Sequence, residues 1–221
     1  MNIRTTTLAL CVATTAAQAQ LYIQASDRPS QPSFFSDAVS GQFFSQRMAD
    51  NFTLDQAGTA TAIQWWGGSQ NFQFADTVNM QSYTIELYST DLFGAPDLGN
   101  VLLSETVSSE NSRFSAVATG ESLNGGGIEY GYTLDLLESI ELAAGTQYWI
   151  SVGATLVDGG ADAWVWSGST QGDLVNATDF FTGGYTVFDP TANDLAFAVI
   201  PAPSTAIIGL AALGFGSRRR R

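Results

Sequence analysis

The sequence predicts an all-β protein, a two-sheet antiparallel β-sandwich with a jelly-roll-like arrangement. Three observations support this fold class. Apolar and polar residues alternate over short runs, as at 83–88, which is the pattern of a strand with one buried face. Those runs are rich in Thr, Val, Tyr, Phe and Trp, which suit pleated surfaces, and glycine clusters separate the runs. An immunoglobulin-like sandwich is the main alternative.

Ten short strands are predicted along the chain, with no long helical period between them. They lie at 21–25, 47–54, 59–66, 82–89, 100–108, 113–118, 128–137, 146–154, 163–167 and 193–199. Glycine pairs such as Gly67-Gly68 and Gly183-Gly184 are expected to form turns between them. The stretch 24–45, rich in Ser, Gln and Pro, is expected to be a long loop, and a short helical turn is expected at most within 36–49.

The sandwich is expected to be one domain, residues 20–200, because all-β sandwiches of this size often stay undivided. Residues 1–19 have the pattern of a secretory signal helix: a positive charge at Arg4, an apolar stretch, and a small-x-small cleavage site at Ala17 and Ala19. Signal peptidase and the Sec machinery are therefore expected partners, and the mature chain is expected to begin directly after this site.

Residues 201–221 form a second terminal segment with three parts. A Pro-Ala-Pro-Ser-Thr turn is followed by the apolar run 206–216 and then, after one serine, by four consecutive arginines. A comfortable membrane span needs about 20 apolar residues, so this short apolar helix is expected to hold the chain at the membrane only transiently. The arginines are expected to stay on the cytoplasmic side, which leaves the sandwich outside.

This tail resembles the PEP-CTERM sorting signal of Gram-negative bacteria, in which a Pro-Glu-Pro-like motif, a short apolar helix and an arginine cluster follow one another. The resemblance implies removal of the tail by exosortase, a membrane-embedded transpeptidase-like enzyme. It also implies transient inner-membrane anchoring, followed by delivery to the cell surface or to an exopolysaccharide matrix. The residues that match the signal are Pro201, Ala202, Pro203, Ser204, Arg218, Arg219, Arg220 and Arg221, with Ala202 in the position of the family's Glu.

The body is similar to a β-sandwich module that recurs in PEP-CTERM proteins. This resemblance rests on short strand and turn motifs. They are Ala-Asp-Asn-Phe-Thr-Leu at 49–54, Ile-Gln-Trp-Trp-Gly-Gly at 63–68, Gly-Ala-Pro at 94–96, Leu-Ala-Ala-Gly-Thr-Gln-Tyr-Trp at 142–149 and Trp-Val-Trp-Ser at 164–167. The resemblance implies the sandwich fold and no particular activity.

The predicted domain is strongly acidic. It holds all 21 acidic residues of the chain against three arginines, a net charge of 3 − 21 = −18. Such a charge repels nucleic acid, so no nucleic-acid partner is expected. The chain has no histidine and no lysine, and its one cysteine, Cys11, lies in the predicted signal peptide. Histidine-based triads and zinc sites, thiol nucleophiles and lysine Schiff bases are therefore excluded.

These exclusions favour a non-enzymatic exported protein of the cell surface or extracellular matrix, with no catalytic residues. A carboxylate-dependent glycan-active enzyme is the least favoured alternative, because a pair of catalytic acids cannot be recognised among scattered ones.

A carbohydrate-binding module is the stronger alternative, because aromatic rings offer flat apolar faces to sugars. The candidate residues are Trp65, Trp66, Trp164 and Trp166. Trp65 and Trp66 are adjacent in a predicted strand, so one is expected in the core and the other at the surface. Trp164 and Trp166 share one face of a strand, and for them the core is the favoured position.

Calcium is the one cofactor that the sequence leaves open. Asp158 and Asp162 flank a glycine turn, and Asp91 and Asp97 lie in a second acidic loop. Ca²⁺ prefers six to eight oxygen ligands of this kind. Neither loop matches an EF-hand, and a solvated turn is the favoured interpretation of both.

Overall fold

The computed structural model describes residues 20–27, 33–38, 46–69, 80–123, 127–157, 163–188 and 193–202. Within these ranges the chain is all-β. Its strands are β1 (Tyr22–Gln24), β2 (Ser33–Phe35), β3 (Arg47–Thr53), β4 (Gly58–Ser69), β5 (Met80–Thr90), β6 (Pro96–Ser108), β7 (Phe114–Ser122), β8 (Ile128–Leu142), β9 (Gln147–Leu156), β10 (Trp164–Ser169), β11 (Asn176–Asp179), β12 (Thr186–Phe188), β13 (Asp194–Leu195) and β14 (Phe197–Pro201).

The strands form two antiparallel sheets, as predicted. The larger sheet has eight strands in the order β1-β14-β4-β10-β13, with β2 beside β10 and with β8 and then β7 beside β4. The smaller sheet has six strands in the order β12-β11-β3-β9-β5-β6. Each sheet carries alternating apolar side chains, and the apolar faces of the two sheets meet in one core.

The centre of this core is aromatic. Trp65 of β4 and Tyr132 of β8 stack within the larger sheet, with ring centroids 5.6 Å apart. Tyr83 of the smaller sheet reaches across to them, 5.0 Å from Tyr132 and 5.7 Å from Trp65. Aromatic pairs at such distances add to the free energy of burial, so these rings hold the two sheets together.

Each of the ten predicted strand segments contains a strand, but the last one is divided. Ala196 interrupts 193–199 because its backbone bonds elsewhere: its N–H donates to the Ser167 carbonyl at 2.8 Å, and its carbonyl accepts from the Trp66 N–H at 3.2 Å. This exchange ties β4, β10 and β14 together where β13 ends.

Three short strands were not among the ten predicted, namely β2, β11 and β12. Strand β2 lies inside 24–45, so the prediction of one long loop there is wrong in part: Phe34 pairs with Trp166. The prediction of a helical turn within 36–49 is wrong where the structure describes that stretch, since 47–49 belong to β3.

Several predicted features lie outside the described residues. These are the signal helix with Ala17 and Ala19, the loop residues Asp158 and Asp162, the tail residues Pro203 and Ser204, and the apolar run with Arg218, Arg219, Arg220 and Arg221.

One end of the sandwich gathers both ends of the described domain, and we call it the exit end. It contains the β5–β6 turn (91–95), the β8–β9 turn (143–146), the start of β4 at Gly58 and the end of β14 at Pro201. Leu21 lies there too, because an atom added at the Gly58 Cβ position would meet the Leu21 side chain.

Candidate functional site

Three of the four candidate tryptophans lie in the core. Trp65, Trp164 and Trp166 are at most 1% exposed. The Trp166 ring N–H donates to the Ala196 carbonyl at 2.8 Å, which fixes this ring between the sheets. None of these three rings presents a face to a sugar, so the structure favours their interpretation as core residues.

Trp66 is the half-buried member of the adjacent pair, as the alternation within β4 predicts. It pairs with Gly131 of β8, and its ring nitrogen lies 3.4 Å from the position that a Gly131 Cβ would occupy. The indole ring therefore lies across the outer face of the larger sheet where a glycine leaves room for it. A sugar platform could use this ring alone among the candidates.

The acidic loop with Asp91 and Asp97 is built as a pair of turns. Asp91 Oδ1 accepts from the backbone N–H groups of Phe93 and Ala95, both at 2.8 Å. Asp97 Oδ1 accepts from the Gly99 N–H at 2.9 Å. Carboxylates that accept local backbone bonds stabilise turns, which accounts for both residues without a metal ion.

A cavity of about 270 Å³ lies beside these turns, between Asp91, Asp97 and the loop residues Gly183 and Tyr185. In the described part of the chain, no three acidic or cysteine side chains converge closely enough to hold a metal ion. The geometry gives the Asp91–Asp97 loop no support as a calcium site.

The structure brings together four polar residues that the sequence does not connect, and we call them the acidic cluster. They are Gln24 of β1, Asp50 of β3, Asp173 of the loop before β11, and Asp194 of β13. Gln24, Asp50 and Asp194 are buried, whereas Asp173 is exposed at the rim.

Asp50 is fully buried and faces the core, yet its carboxylate is well bonded. Its Oδ1 accepts from the Asn51 N–H at 2.8 Å. Its Oδ2 accepts from Gln24 Nε2 at 2.7 Å and also from the Leu195 N–H. Burial raises the pKa of Asp50 well above its usual value, and these hydrogen bonds oppose that rise in part. The carboxylate therefore joins β1, β3 and β13 inside the sandwich.

Asp194 is buried with less compensation. Its Oδ2 accepts from the Leu174 N–H at 3.0 Å, while its Oδ1 has no hydrogen-bond partner among the described residues. Burial raises the pKa of Asp194 to about 6, and the nearby charge of Asp173 adds to that rise. Leu174 itself has a positive φ of 65°, a conformation that a leucine rarely adopts.

Gly172 makes the close approach of these groups possible. It has a φ of 123°, and a Cβ there would lie 2.6 Å from Asp194 Oδ2 and 2.7 Å from Gln24 Oε1. The same Gln24 oxygen accepts from the Tyr22 hydroxyl at 2.6 Å. Burial, together with the charge of Asp50, raises the pKa of that hydroxyl, so Tyr22 stays a neutral donor.

The chemistry of the acidic cluster is structural. The polar groups of Gln24, Asp50 and Asp194 lie inside the sandwich, and Asp50 and Asp194 are both 0% exposed. A pair of catalytic carboxylates must instead flank an open sugar site. The three buried members therefore join distant segments of the chain.

A second charged cluster lies on the outer face of the smaller sheet. Arg47 contacts the carboxylates of Glu86 and Asp179, the latter at 3.4 Å. The guanidinium lies under the rings of Phe181 and Tyr185, at 5.8 and 5.5 Å from their centroids. Arg47 is thus neutralised and covered, as expected for a structural cation.

Only one residue of the acidic cluster carried a sequence signal. Asp50 stands between Met48 and Phe52 at an inward position of β3, where the alternation predicts an apolar side chain. A polar residue at such a position indicates a buried hydrogen-bonded group. The other members lie in segments far apart in the chain, and nothing in their local sequence connects them.

The fold and these clusters define a β-sandwich domain whose buried charges serve its architecture. The chain belongs to the family described as "Domain of unknown function (DUF7901)", whose model matches residues 22–200. No curated protein matches the chain. Among the described residues, no helix is long and apolar enough to cross a membrane.

Proposed function

We propose that this protein is a non-enzymatic exported protein of the cell surface or extracellular matrix, sorted through a C-terminal signal of the PEP-CTERM type. The observation that carries the proposal is the composition of 201–221: a proline turn, an apolar run and four terminal arginines. A signal-peptide pattern at 1–19 is consistent with this role.

The position of the tail fits removal by a processing enzyme. Pro201 is the last residue of β14 and pairs with Ala60 of β4, and Ala202 is already exposed. The family match ends at residue 200. Cleavage after Ala202 or Pro203 would therefore leave every described strand intact.

We propose a jelly-roll-like sandwich flanked by a signal helix and by a short apolar helix at residues 206–216. The connections that support the jelly roll are those that cross between the sheets, as from β3 to β4, from β4 to β5 and from β8 to β9.

The mass of the intact protein from its native host tests the sorting proposal. We expect a chain that begins near Gln20 and ends near Pro203. A variant in which Arg218–Arg221 are replaced by glutamines should keep its tail, whereas Ala202→Glu, which restores the family's motif, should be processed at least as completely. A mature wild-type chain that still ends in Arg221 would contradict the proposal.

Carbohydrate binding is a second candidate because Trp66 keeps part of its ring at the surface. A single ring binds sugar weakly, so binding should be detectable only at high protein concentration on a glycan array. Trp66→Ala should abolish any signal, and Trp164→Ala is unsuitable as a control because it would damage the core. A blank array with the wild-type protein would remove this candidate.

A further inference from the structure

The most exposed apolar side chains of the described surface lie together at the tip of the β5–β6 hairpin. Leu92 is 99% exposed and Phe93 is 92% exposed. The turn that presents them is well ordered by hydrogen bonds: the Asp91 N–H donates to the Ala95 carbonyl at 2.8 Å, and the Gly94 N–H donates back to the Asp91 carbonyl at 3.2 Å. A fixed turn with two apolar side chains in water indicates a contact outside the domain.

The register of the smaller sheet places this tip at the exit end. At the end of β5, Ser89 pairs with Tyr148, and Thr90 Oγ1 donates to the Gln147 carbonyl at 2.9 Å. Gln147 directly follows the β8–β9 turn, and it also pairs with Thr53, the last residue of β3. The hairpin tip therefore projects beyond the same edge as that turn.

The register of the larger sheet places the start of the tail at this end as well. Leu142, the last residue of β8, pairs with Gly58, the first residue of β4. Pro201 pairs with Ala60, two residues further along β4. Both the apolar tip and the point where the chain leaves β14 thus lie at the exit end.

The hairpin tip and Pro201 lie close enough to each other to approach the same bilayer surface. Packed sheets are about 10 Å apart and neighbouring strands about 4.8 Å apart, so the tip and Pro201 lie roughly 20 Å from each other. Four residue steps from Ala202 reach the apolar run at Ala206, and an extended chain spans at most about 14 Å over that length. A membrane-inserted tail therefore holds the exit end close to the lipid.

We propose that Leu92 and Phe93 insert into the interfacial region of the bilayer while the tail holds the protein there. This inference rests on the proposed membrane-retained stage and adds an orientation to it. The lipid surface that fits is zwitterionic, because Asp55, Asp91 and Glu141 give the exit end a negative charge. A second copy of the chain fits less well, since each domain carries a net charge of −18.

Site-specific labelling of the full-length chain tests the orientation. Cys11→Ser removes the natural thiol, and Phe93→Cys then carries an environment-sensitive nitrobenzoxadiazole dye. Val117→Cys is the matched control, because Val117 is 66% exposed and pairs with Gly131, near the opposite end of β8. Each labelled chain is reconstituted into phosphatidylcholine vesicles that contain a lipid-bound quencher in the interfacial region.

We expect the dye at position 93 to shift to the blue and to be quenched on vesicles, with no change at position 117. Replacing the neighbouring Leu92 by Ser should weaken the shift, since a buried leucine contributes roughly tenfold or more to partitioning.

Three outcomes would overturn the proposal. If the chain floats with the vesicles and neither dye responds, the tip inference is wrong while membrane retention stands. If the chain does not float, the membrane-retained stage and the tip contact both fail. If the dye at position 93 shifts without vesicles and sedimentation shows a doubled mass, a second copy covers the tip instead of lipid.

Discussion

The hairpin tip exposes apolar side chains, and the acidic cluster buries acidic ones, so both reverse the usual placement of side chains. The two regions differ in what offsets the free-energy cost of this placement. Leu92 and Phe93 lie in water, with no apolar neighbour to cover them. Asp50 lies in the core, where three donors from the chain bond to its carboxylate. The cost of burying Asp50 is thus offset inside the domain, whereas exposure of the tip is offset only by something outside it.

This difference separates structural from functional features of the domain. A buried carboxyl group that bonds to three segments satisfies their donors, so its removal should be measured as a change in the free energy of unfolding. An exposed apolar pair contributes almost nothing to stability, and its removal should be measured only in binding. Each of the following substitutions tests whether a residue contributes to the stability of the domain.

Asp50→Ala should give the largest effect. The change leaves the Gln24 side-chain amide and the Leu195 and Asn51 N–H groups without their acceptor inside the core. Each buried donor that is left without an acceptor costs about 1–3 kcal/mol. Urea unfolding followed by tryptophan fluorescence measures this loss. Asp50→Asn, which keeps one acceptor oxygen, should lose clearly less, and equal stability of Asp50→Ala and wild type would contradict the structural role.

Asp194 should make stability depend on pH. Its pKa rises from 3.8 to about 6 on folding, so the folded state binds more protons than the unfolded state between these values. The contribution of Asp194 to stability is therefore highest below about pH 4 and falls as the pH rises through 6. At 1.36 kcal/mol per pH unit, the decline reaches at most about 3 kcal/mol.

Asp194→Asn isolates this contribution from the other acids. The amide oxygen can still accept from the Leu174 N–H, and the residue no longer carries a charge. The variant should therefore be more stable than wild type at pH 7 and nearly equal to it at pH 4. Unfolding free energies of both proteins at the two pH values give the comparison. A stability difference that is the same at both would show that Asp194 does not titrate as described.

Arg47→Met should have an intermediate effect of about 2 kcal/mol, because it leaves two carboxylates on the outer face of the smaller sheet without their cation. Glu86 is 16% exposed and Asp179 is 5% exposed, so solvent replaces the lost contacts only in part. Arg47→Lys keeps the charge but loses the planar fork of donors that contacts both Glu86 and Asp179, and it should lose about half as much stability. A methionine variant as stable as wild type would show that the two carboxylates need no cation.

Local sequence patterns predict some strands of this fold and not others. The long strands follow from alternation, as in β5, because a sheet with one buried face needs an apolar residue at every second position. Strand β11 escaped prediction because its residues Asn-Ala-Thr-Asp show no such alternation, although all four are buried. On the outer face, Ala177 packs with Val175, Tyr185 and Val187, and no local pattern indicates these contacts.

The buried acids and the exposed hairpin tip also differ in how far the sequence predicts them. Asp50 interrupts the alternation of β3, and that interruption is a local signal. Asp194 becomes significant only because the fold brings β13 against the loop at Leu174, 20 residues away, and places the Leu195 N–H at Asp50, 145 residues away. The exposure of Leu92 and Phe93 depends on the hairpin projecting past the sheet edge, which alternation alone does not reveal.

The smallest effect on stability is expected at the tip. Replacing both Leu92 and Phe93 by Ser should change the free energy of unfolding by less than about 0.5 kcal/mol, because neither side chain has packing to lose. Leu87→Ser is the matched control in the same hairpin: Leu87 is 1% exposed, and loss of a buried leucine costs about 2–5 kcal/mol. Urea unfolding of both variants measures the contrast. A large loss in the tip variant would mean that these side chains support the fold, and they could then not be assigned to a partner outside it.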